Sequence, residues 1–208
     1  MKFYYFPLNA RGGTIRAILS AMNANWENSV VSFENWPTLK NGNLCEFKQL
    51  PVLEHGTKKL VQKMAIELYL AKLYGIYGKN SEDEYQINSL LCTFEDLFSA
   101  IYGVAFPKDE EEKKNADQIL AAFITKYTFY FQQIEKRYLA RGKKKYYLGD
   151  YFSLADIFIT VMIMSFYNIV KEKCPIKTAA PGIFALIKRI ADNELKSYFA
   201  KYFVKNAC

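Results

Sequence analysis

Two short stretches carry residue types suited to holding a small anion. Gln49-Leu50-Pro51-Val52-Leu53-Glu54 reads as a strand started by a proline. Leu60-Val61-Gln62-Lys63-Met64-Ala65-Ile66 reads as a second strand running into a helix that opens on polar residues. Gly56 punctuates the turn between them. Proline is tolerated at a strand's first position because that residue need not donate to the ladder. Gln62 and Lys63 then stand at a helix N-terminus, where unpaired backbone N–H groups and the helix dipole attract a carboxylate. Backbone offered just before a proline, next to such a helix end, suits a small peptide with a free carboxylate. The competing reading is an ordinary β-hairpin leading into a helix.

Other chemistries are poorly supplied. His55 is the only histidine and sits beside the turn glycine. Cys45, Cys92, Cys174 and Cys208 show no metal-binding or redox-motif spacing. A zinc site or a Ser-His-Asp triad is therefore not expected, and no metal is assigned. The net charge of +7 comes from dispersed basic residues. The one dense run, Lys143-Lys144-Lys145 after Arg141, reads as a surface loop, and an acidic run from Asp109 to Glu112 opposes it. No nucleic-acid motif frames either, so a solvated basic surface is the expectation and nucleic acid is not an expected partner.

The elements that must position these residues follow from periodicity and punctuation. The hydrophobic share of 51% supports a sizeable core, and 16 Tyr with 16 Phe predict one rich in rings. Phe3-Tyr4-Tyr5-Phe6 reads as a strand bounded by Pro7 and the turn-prone Asn9-Ala10-Arg11-Gly12-Gly13. Thr14 is then expected to cap a helix whose apolar face is Ile15, Ile18, Leu19 and Met22. Trp26 to Phe33 reads as a second strand, and residues 35–43 as a loop with a turn of helix at most. The order β-α-β, loop, β-β-α predicts a parallel pair joined by a helical crossover, with a hairpin added antiparallel. This is thioredoxin-like topology without a Cys-x-x-Cys at the first helix; Tyr5 and Arg11 occupy that neighbourhood.

Beyond a polar linker the pattern becomes helical throughout. Ile87, Leu90, Leu91, Phe94, Leu97, Phe98 and Ile101 form one long stripe; Ile119, Phe123, Tyr127, Phe131 and Ile134 form another. Ser153-Leu154-Ala155-Asp156 reads as a capping box opening an apolar helix, and further helices are expected from Pro181 and from Leu195 to Phe203. The apolar run from Leu154 to Phe166 is too short to span a bilayer, and the first six residues are too short and aromatic for a signal peptide. A soluble, cytoplasmic setting without a membrane partner is the expectation.

Taken together the motifs resemble those of a cytosolic glutathione transferase of the tyrosine type, sigma- or alpha-like. Tyr5-Phe6 with Ile15-Arg16, Trp36-Pro37-Thr38-Leu39-Lys40, Gln49-Leu50-Pro51, Leu60-Val61-Gln62 with Ala65-Ile66, Tyr77-Gly78-Lys79, and Leu148-Gly149-Asp150 before the capping box carry the resemblance in order and spacing. It covers essentially the whole chain. It implies a thioredoxin-like glutathione-binding domain over residues 1–75, a linker over 76–84 and an all-α domain over 85–208 contributing the hydrophobic substrate site, in a homodimer.

The resemblance also implies roles. Tyr5 is the expected catalytic tyrosine, with Arg11 near the sulfur. Trp36 and Lys40 would meet the glycine end of glutathione, and Leu50, with Gln49 and a cis Pro51, its cysteinyl unit. Gln62 and Lys63 would hold the γ-glutamyl carboxylate. Asp96 would reach across a dimer to the γ-glutamyl amine, and Phe47 is placed like an aromatic that locks into a partner subunit. Phe6, Leu8, Ser99, Tyr102, Gly103, Phe106 and Tyr202 are the expected contacts of the electrophile, in a pocket between the domains. Position 63 departs from the pattern: Ser or Thr is expected there, and Lys63 stands in its place.

A thiol with a pKa of roughly 8.5 is only a few per cent ionised near neutrality, and the thiolate is the nucleophile. Lowering that pKa by about two units needs roughly 2.7 kcal/mol of preference for the charged form. A charge-assisted hydrogen bond of about 1.5–3 kcal/mol from a tyrosine hydroxyl nearly supplies it. Tyr5 is thus read as a donor to sulfur, with Tyr4 competing for the role. The implied activity is conjugation of glutathione, as co-substrate, to small hydrophobic electrophiles. The alternatives are a glutathione-dependent isomerase of the prostaglandin synthase kind, or a ligandin-like binding or structural member.

Overall fold

The computed structural model describes residues 1–105, 109–170, 173 and 176–203. The described residues divide into two compact units, one comprising residues 1–77 together with 193–203, the other running from Gly78 to Asp192.

The first unit is built on a four-stranded sheet of order β2-β1-β3-β4. Strand β1 (Lys2–Tyr5) pairs parallel with β2 (Glu27–Val30) and antiparallel with β3 (Val52–His55), which pairs antiparallel with β4 (Lys58–Val61). Between β1 and β2 runs helix α1 (Gly13–Ala21), the crossover a parallel pair requires. Helix α2 (Trp36–Asn41) follows β2, and α3 (Lys63–Leu73) follows the hairpin. Gly56 takes φ +61° in the hairpin turn, a conformation that costs a side chain dearly but glycine little. The thioredoxin-like reading therefore holds, and the Leu50–Pro51 bond is cis.

Strand alternation sorts the β1 side chains. Phe3 and Tyr5 are buried, while Lys2 and Tyr4 are half-exposed. Tyr4 donates its hydroxyl to Glu54 Oε2 at 2.8 Å, so it is committed to a cross-strand pair. Tyr5 is left as the strand's tyrosine on the helix-covered side.

Two local expectations are corrected. The second strand does not extend from Trp26 to Phe33: its partner offers only Lys2–Tyr5, so pairing ends at Val30 and Phe33 lies exposed beyond it. Nor does Thr14 cap α1. The helix starts two residues earlier, with Gly12 as N-cap, and the fully buried Thr14 hydroxyl donates instead to Glu67 Oε1 on α3.

The second unit holds α4 (Ser81–Ala105), α5 (Glu110–Lys114), α6 (Ala116–Ala140), α7 (Leu154–Val170), α8 (Ile176–Ala179) and α9 (Pro181–Asp192). Its centre is a ring cluster. Phe94 from α4 lies within 5.2–6.1 Å of Phe131, Phe158 and Phe166, and Tyr127 stands edge-on to Phe131 at 4.1 Å. Such pairs add about 0.5–1.5 kcal/mol each beyond burial. The last helix, α10 (Lys196–Tyr202), packs on α1 and belongs to the first unit.

Buried carboxylates satisfy the starts of two helices. Glu135 on α6 accepts from the N–H groups of Gly182 (2.8 Å) and Ile183 (2.6 Å), satisfying the start of α9 from another element. Asp156 accepts from the Ser153 N–H (2.9 Å), the Ser153 hydroxyl (2.8 Å) and the Tyr147 N–H (2.8 Å). The capping box is thus half reciprocal: the Ser153 hydroxyl donates to the aspartate, and the Asp156 N–H goes to the Ser153 carbonyl at 3.2 Å rather than to the hydroxyl.

Burial pushes the Asp156 carboxyl from 3.8 up to about 6, against the lowering effect of its three donors. Between those values the folded chain keeps a proton that the unfolded chain releases. The group's favourable contribution is therefore complete below 3.8 and is lost as pH rises through 6. Asp156→Asn cannot titrate, so its cost in urea unfolding should be larger near pH 5 than near pH 7.5, by about 1–2 kcal/mol. A cost that grows with pH would contradict burial as the dominant influence.

Candidate active site

The site is assembled at the end of β1. The chain leaves the sheet at Tyr5, passes residues 6–9 and enters a 3₁₀ turn (Ala10–Gly12) that leads straight into α1. The Arg11 backbone N–H donates to the Tyr5 hydroxyl oxygen at 3.1 Å. An accepted hydrogen bond polarises a hydroxyl and makes its own proton a better donor. Tyr5 and Arg11 are thus brought together, but through the arginine's backbone. Ala10 reaches this arrangement at φ +24°, a strained value for a residue with a Cβ.

Gly12 explains why the turn can close on the ring. A Cβ placed there would lie 2.3 Å from Tyr5 Cδ1 and 2.7 Å from Cγ, well inside contact distance. Only a glycine backbone lets the 3₁₀ turn lie against the tyrosine ring.

Arg16 holds the same loop from beneath. This nearly buried side chain donates from Nη1 to the Leu8 carbonyl (2.7 Å), from Nη2 to the Phe6 carbonyl (2.8 Å) and from Nε to Asn28 Oδ1 (3.0 Å). Its guanidinium also faces the rings of Phe3 (5.4 Å) and Tyr5 (5.6 Å). Burial lowers its pKa, opposed by the oxygens of Tyr198, Tyr5 and Tyr202. Arg16 entered the sequence reading only as a spacing marker. Its signal was a lone cation inside the apolar face of Ile15, Ile18 and Leu19. Asn9 completes the tether, donating to the Tyr202 carbonyl (3.1 Å) and accepting from the Tyr198 hydroxyl (3.2 Å) on α10.

An aromatic surface adjoins Tyr5. Phe6 stands edge-on to Tyr5 at 5.5 Å, stacks on Phe33 at 4.9 Å and meets the Trp36 ring edge-on at 5.5 Å. Phe33 was not foreseen as a neighbour, because its assignment to a strand concealed that it is exposed. Lys40 is exposed on α2.

The expected carboxylate site lies at the start of α3. Gln49 is exposed, Leu50 half-buried and Pro51 buried. Gln62 is the exposed N-cap of α3 at φ 70°, ψ 118°, an uncommon conformation for a residue with a side chain. Lys63 is the first helical residue and is 5% exposed; its ammonium lies 3.1 Å from Glu67 Oε2, not in solvent.

Tyr202 packs on Trp26 (5.8 Å) and Tyr198 (6.0 Å) and lines a cavity of about 320 Å³ whose walls include neither Tyr5 nor Phe6. Asp96 and Ser99 are exposed on α4, where Ser99 donates to the Glu95 carbonyl (3.0 Å). Tyr102 and Gly103 lie in the same helix, and Phe106 falls outside the described residues. Among the described residues no cluster of His, Cys, Asp and Glu is placed to hold a metal, and no helix is long and apolar enough to cross a membrane. His55 bonds the Tyr69 hydroxyl at 2.9 Å.

Family models match both parts of the chain. The glutathione S-transferase N-terminal domain matches residues 1–72, and its C-terminal domain matches residues 95–202. A probable glutathione S-transferase 5 from Caenorhabditis elegans is 32% identical over 165 residues, 76% of each chain. Among solved structures, prostaglandin synthase D of Nilaparvata lugens is 27% identical with a TM-score of 0.80, covering 96% of both chains. A monomeric glutathione S-transferase of the hookworm Necator americanus is 25% identical with a TM-score of 0.80, covering 96% of this chain and 95% of that one.

Gly12→Ala should drive the Tyr5 ring from its place. Overpacking of this kind costs about 1–3 kcal/mol. The Arg11 amide should lose its hydrogen bond, seen as faster hydrogen exchange. Unchanged stability together with an unchanged Arg11 amide would contradict the contact.

Proposed function

Because the chain belongs to the glutathione S-transferase family, we propose that it uses Tyr5 to ionise glutathione and transfers the thiolate to small hydrophobic electrophiles. The observation that carries this reading is the Tyr5 hydroxyl accepting the Arg11 N–H at 3.1 Å, at the mouth of the turn that opens α1. That bond leaves the hydroxyl oriented by the backbone, with the positive end of α1 one turn away. In this reading Tyr5 donates to the glutathione sulfur and never acts as a base. The thiol proton leaves to solvent. The sulfur lone pair attacks the electrophilic carbon, a new S–C bond forms, and the leaving group departs with its bonding electrons.

The rest of the first unit is assigned to holding glutathione. Gln62 and the N–H groups at the start of α3 take the γ-glutamyl carboxylate. The backbone of Leu50, next to Gln49 and the cis Pro51, pairs with the cysteinyl unit. Trp36 and Lys40 meet the glycine end. Phe6 and Leu8 contact the electrophile, and the stacked Phe6 and Phe33 rings favour one that is planar. The assignment brings with it the cytoplasmic setting of the transferases the sequence resembles.

A second reading is favoured by the similarity to the Nilaparvata lugens prostaglandin synthase D. The same thiolate would then catalyse an isomerisation and be returned. The two differ in stoichiometry: transfer consumes one glutathione thiol per turnover, isomerisation none.

We also assign the chain to a homodimer, in which the exposed Phe47 enters a partner and Asp96 serves the partner's glutathione. One relative is described as monomeric, so the assignment needs its own measurement. Glutathione conjugation to an aryl halide should be lowered roughly 10- to 100-fold in kcat/KM by Tyr5→Phe, the loss of one charge-assisted bond. Equal rates for the two proteins would end the Tyr5 mechanism. Sedimentation of the same wild-type preparation at micromolar concentration should give twice the chain mass; a single-chain mass would remove the role given to Asp96.

A further inference from the structure

Three buried polar side chains link the start of α3 to α1, and the mechanism above uses none of them. Lys63 is 5% exposed, and Glu67 and Thr14 are fully buried. The Lys63 ammonium lies 3.1 Å from Glu67 Oε2, while the Thr14 hydroxyl donates to Glu67 Oε1. The arrangement runs against local preference. A cation in the first turn opposes the helix dipole, and Lys preceding Glu at i,i+4 is the weaker order for a helical pair. A buried ammonium at the positive end of a helix persists only with a counter-charge held close, and Glu67 is that charge.

We infer that Glu67 is a positioning residue for glutathione: through Lys63 it sets the net charge beneath the carboxylate site at the start of α3. This rests on the glutathione reading. With both residues present the pair is neutral, and the carboxylate is held by backbone N–H groups and Gln62, not by a free cation. Thr14 fixes the Glu67 carboxylate from α1, the helix that follows the 3₁₀ turn carrying Arg11. The anion site and the Tyr5 turn thereby share one buried bridge. Lys63 stands in place of the expected hydroxyl residue without adding net charge, because Glu67 pairs with it.

Four proteins test this by charge alone. Lys63→Ser restores the expected hydroxyl but leaves the Glu67 charge, giving a net −1 under the site. Glu67→Gln keeps the shape and an acceptor for Thr14 but leaves +1. The double variant K63S/E67Q returns to zero. Each unit of charge within one helical turn of a bound carboxylate changes affinity by about tenfold. The dissociation constant for glutathione, measured by calorimetry, should be lowest for E67Q, equal within about threefold for wild type and K63S/E67Q, and highest for K63S. KM for glutathione should follow that order, while KM for the electrophile should not.

A purely structural bridge would weaken binding in both single variants and leave the double no better. Either of those results overturns the inference. Should K63S not fold, E67Q binding tighter than wild type, with K63S/E67Q restored to it, supports the proposal; E67Q binding more weakly overturns it. Wild type that binds no glutathione at millimolar concentration removes the functional reading itself, and is seen before any variant is compared.

Discussion

The bond on which the rest of the first unit depends is the one from the Arg11 N–H to the Tyr5 hydroxyl. In the proposed mechanism that hydroxyl has to be aimed before the substrate arrives, since reorientation at that moment costs part of what the bond contributes. Strand β1 fixes the ring's position by register, and alternation places it on the side facing α1. Gly12 allows the turn to press on the ring, and Arg16 anchors the carbonyls of Phe6 and Leu8. Asn9 ties the same turn to α10, which is why the last helix belongs to the first unit although it comes last in the chain.

Much of this was legible in the sequence, for definite reasons. The strands and α1 announced themselves because alternation and the i, i+3, i+4 pattern are consequences of burying one face. The capping box at Ser153 and Asp156 was visible because its partners are three residues apart. The ring stripe at Phe123, Tyr127 and Phe131 became the core of the helical unit for the same local reason. Interactions between residues distant in sequence were not legible. Glu135 closing the start of α9 spans 47 residues, and Thr14 meeting Glu67 spans 53. Thr14 was misread as a cap because Ser, Thr, Asp and Asn at a helix start usually serve that purpose, and tertiary packing overrode the preference.

Lys63 shows how one substitution acquires meaning from its surroundings. Read alone, it is a cation added to an anion site. Read with Glu67 one turn on, it is half of a neutral buried pair. Electrostatics near a helix end is set by the sum of nearby charges in a poorly screened place, so a residue's identity says little until its partner is known. In the proposed site the dipole of α3 and its opening N–H groups are then the principal attractors for a carboxylate.

The proposed transferase activity stands or falls on whether Tyr5 stabilises a thiolate. The direct measurement is the titration of bound glutathione, followed through the ultraviolet absorbance of its thiolate in the binary complex with wild type and with Tyr5→Phe. The expected apparent thiol pKa lies about two units below the ordinary 8.5 in wild type and returns close to that value without the hydroxyl. A bound thiol that titrates near 8.5 in wild type, or one equally depressed in Tyr5→Phe, would contradict it.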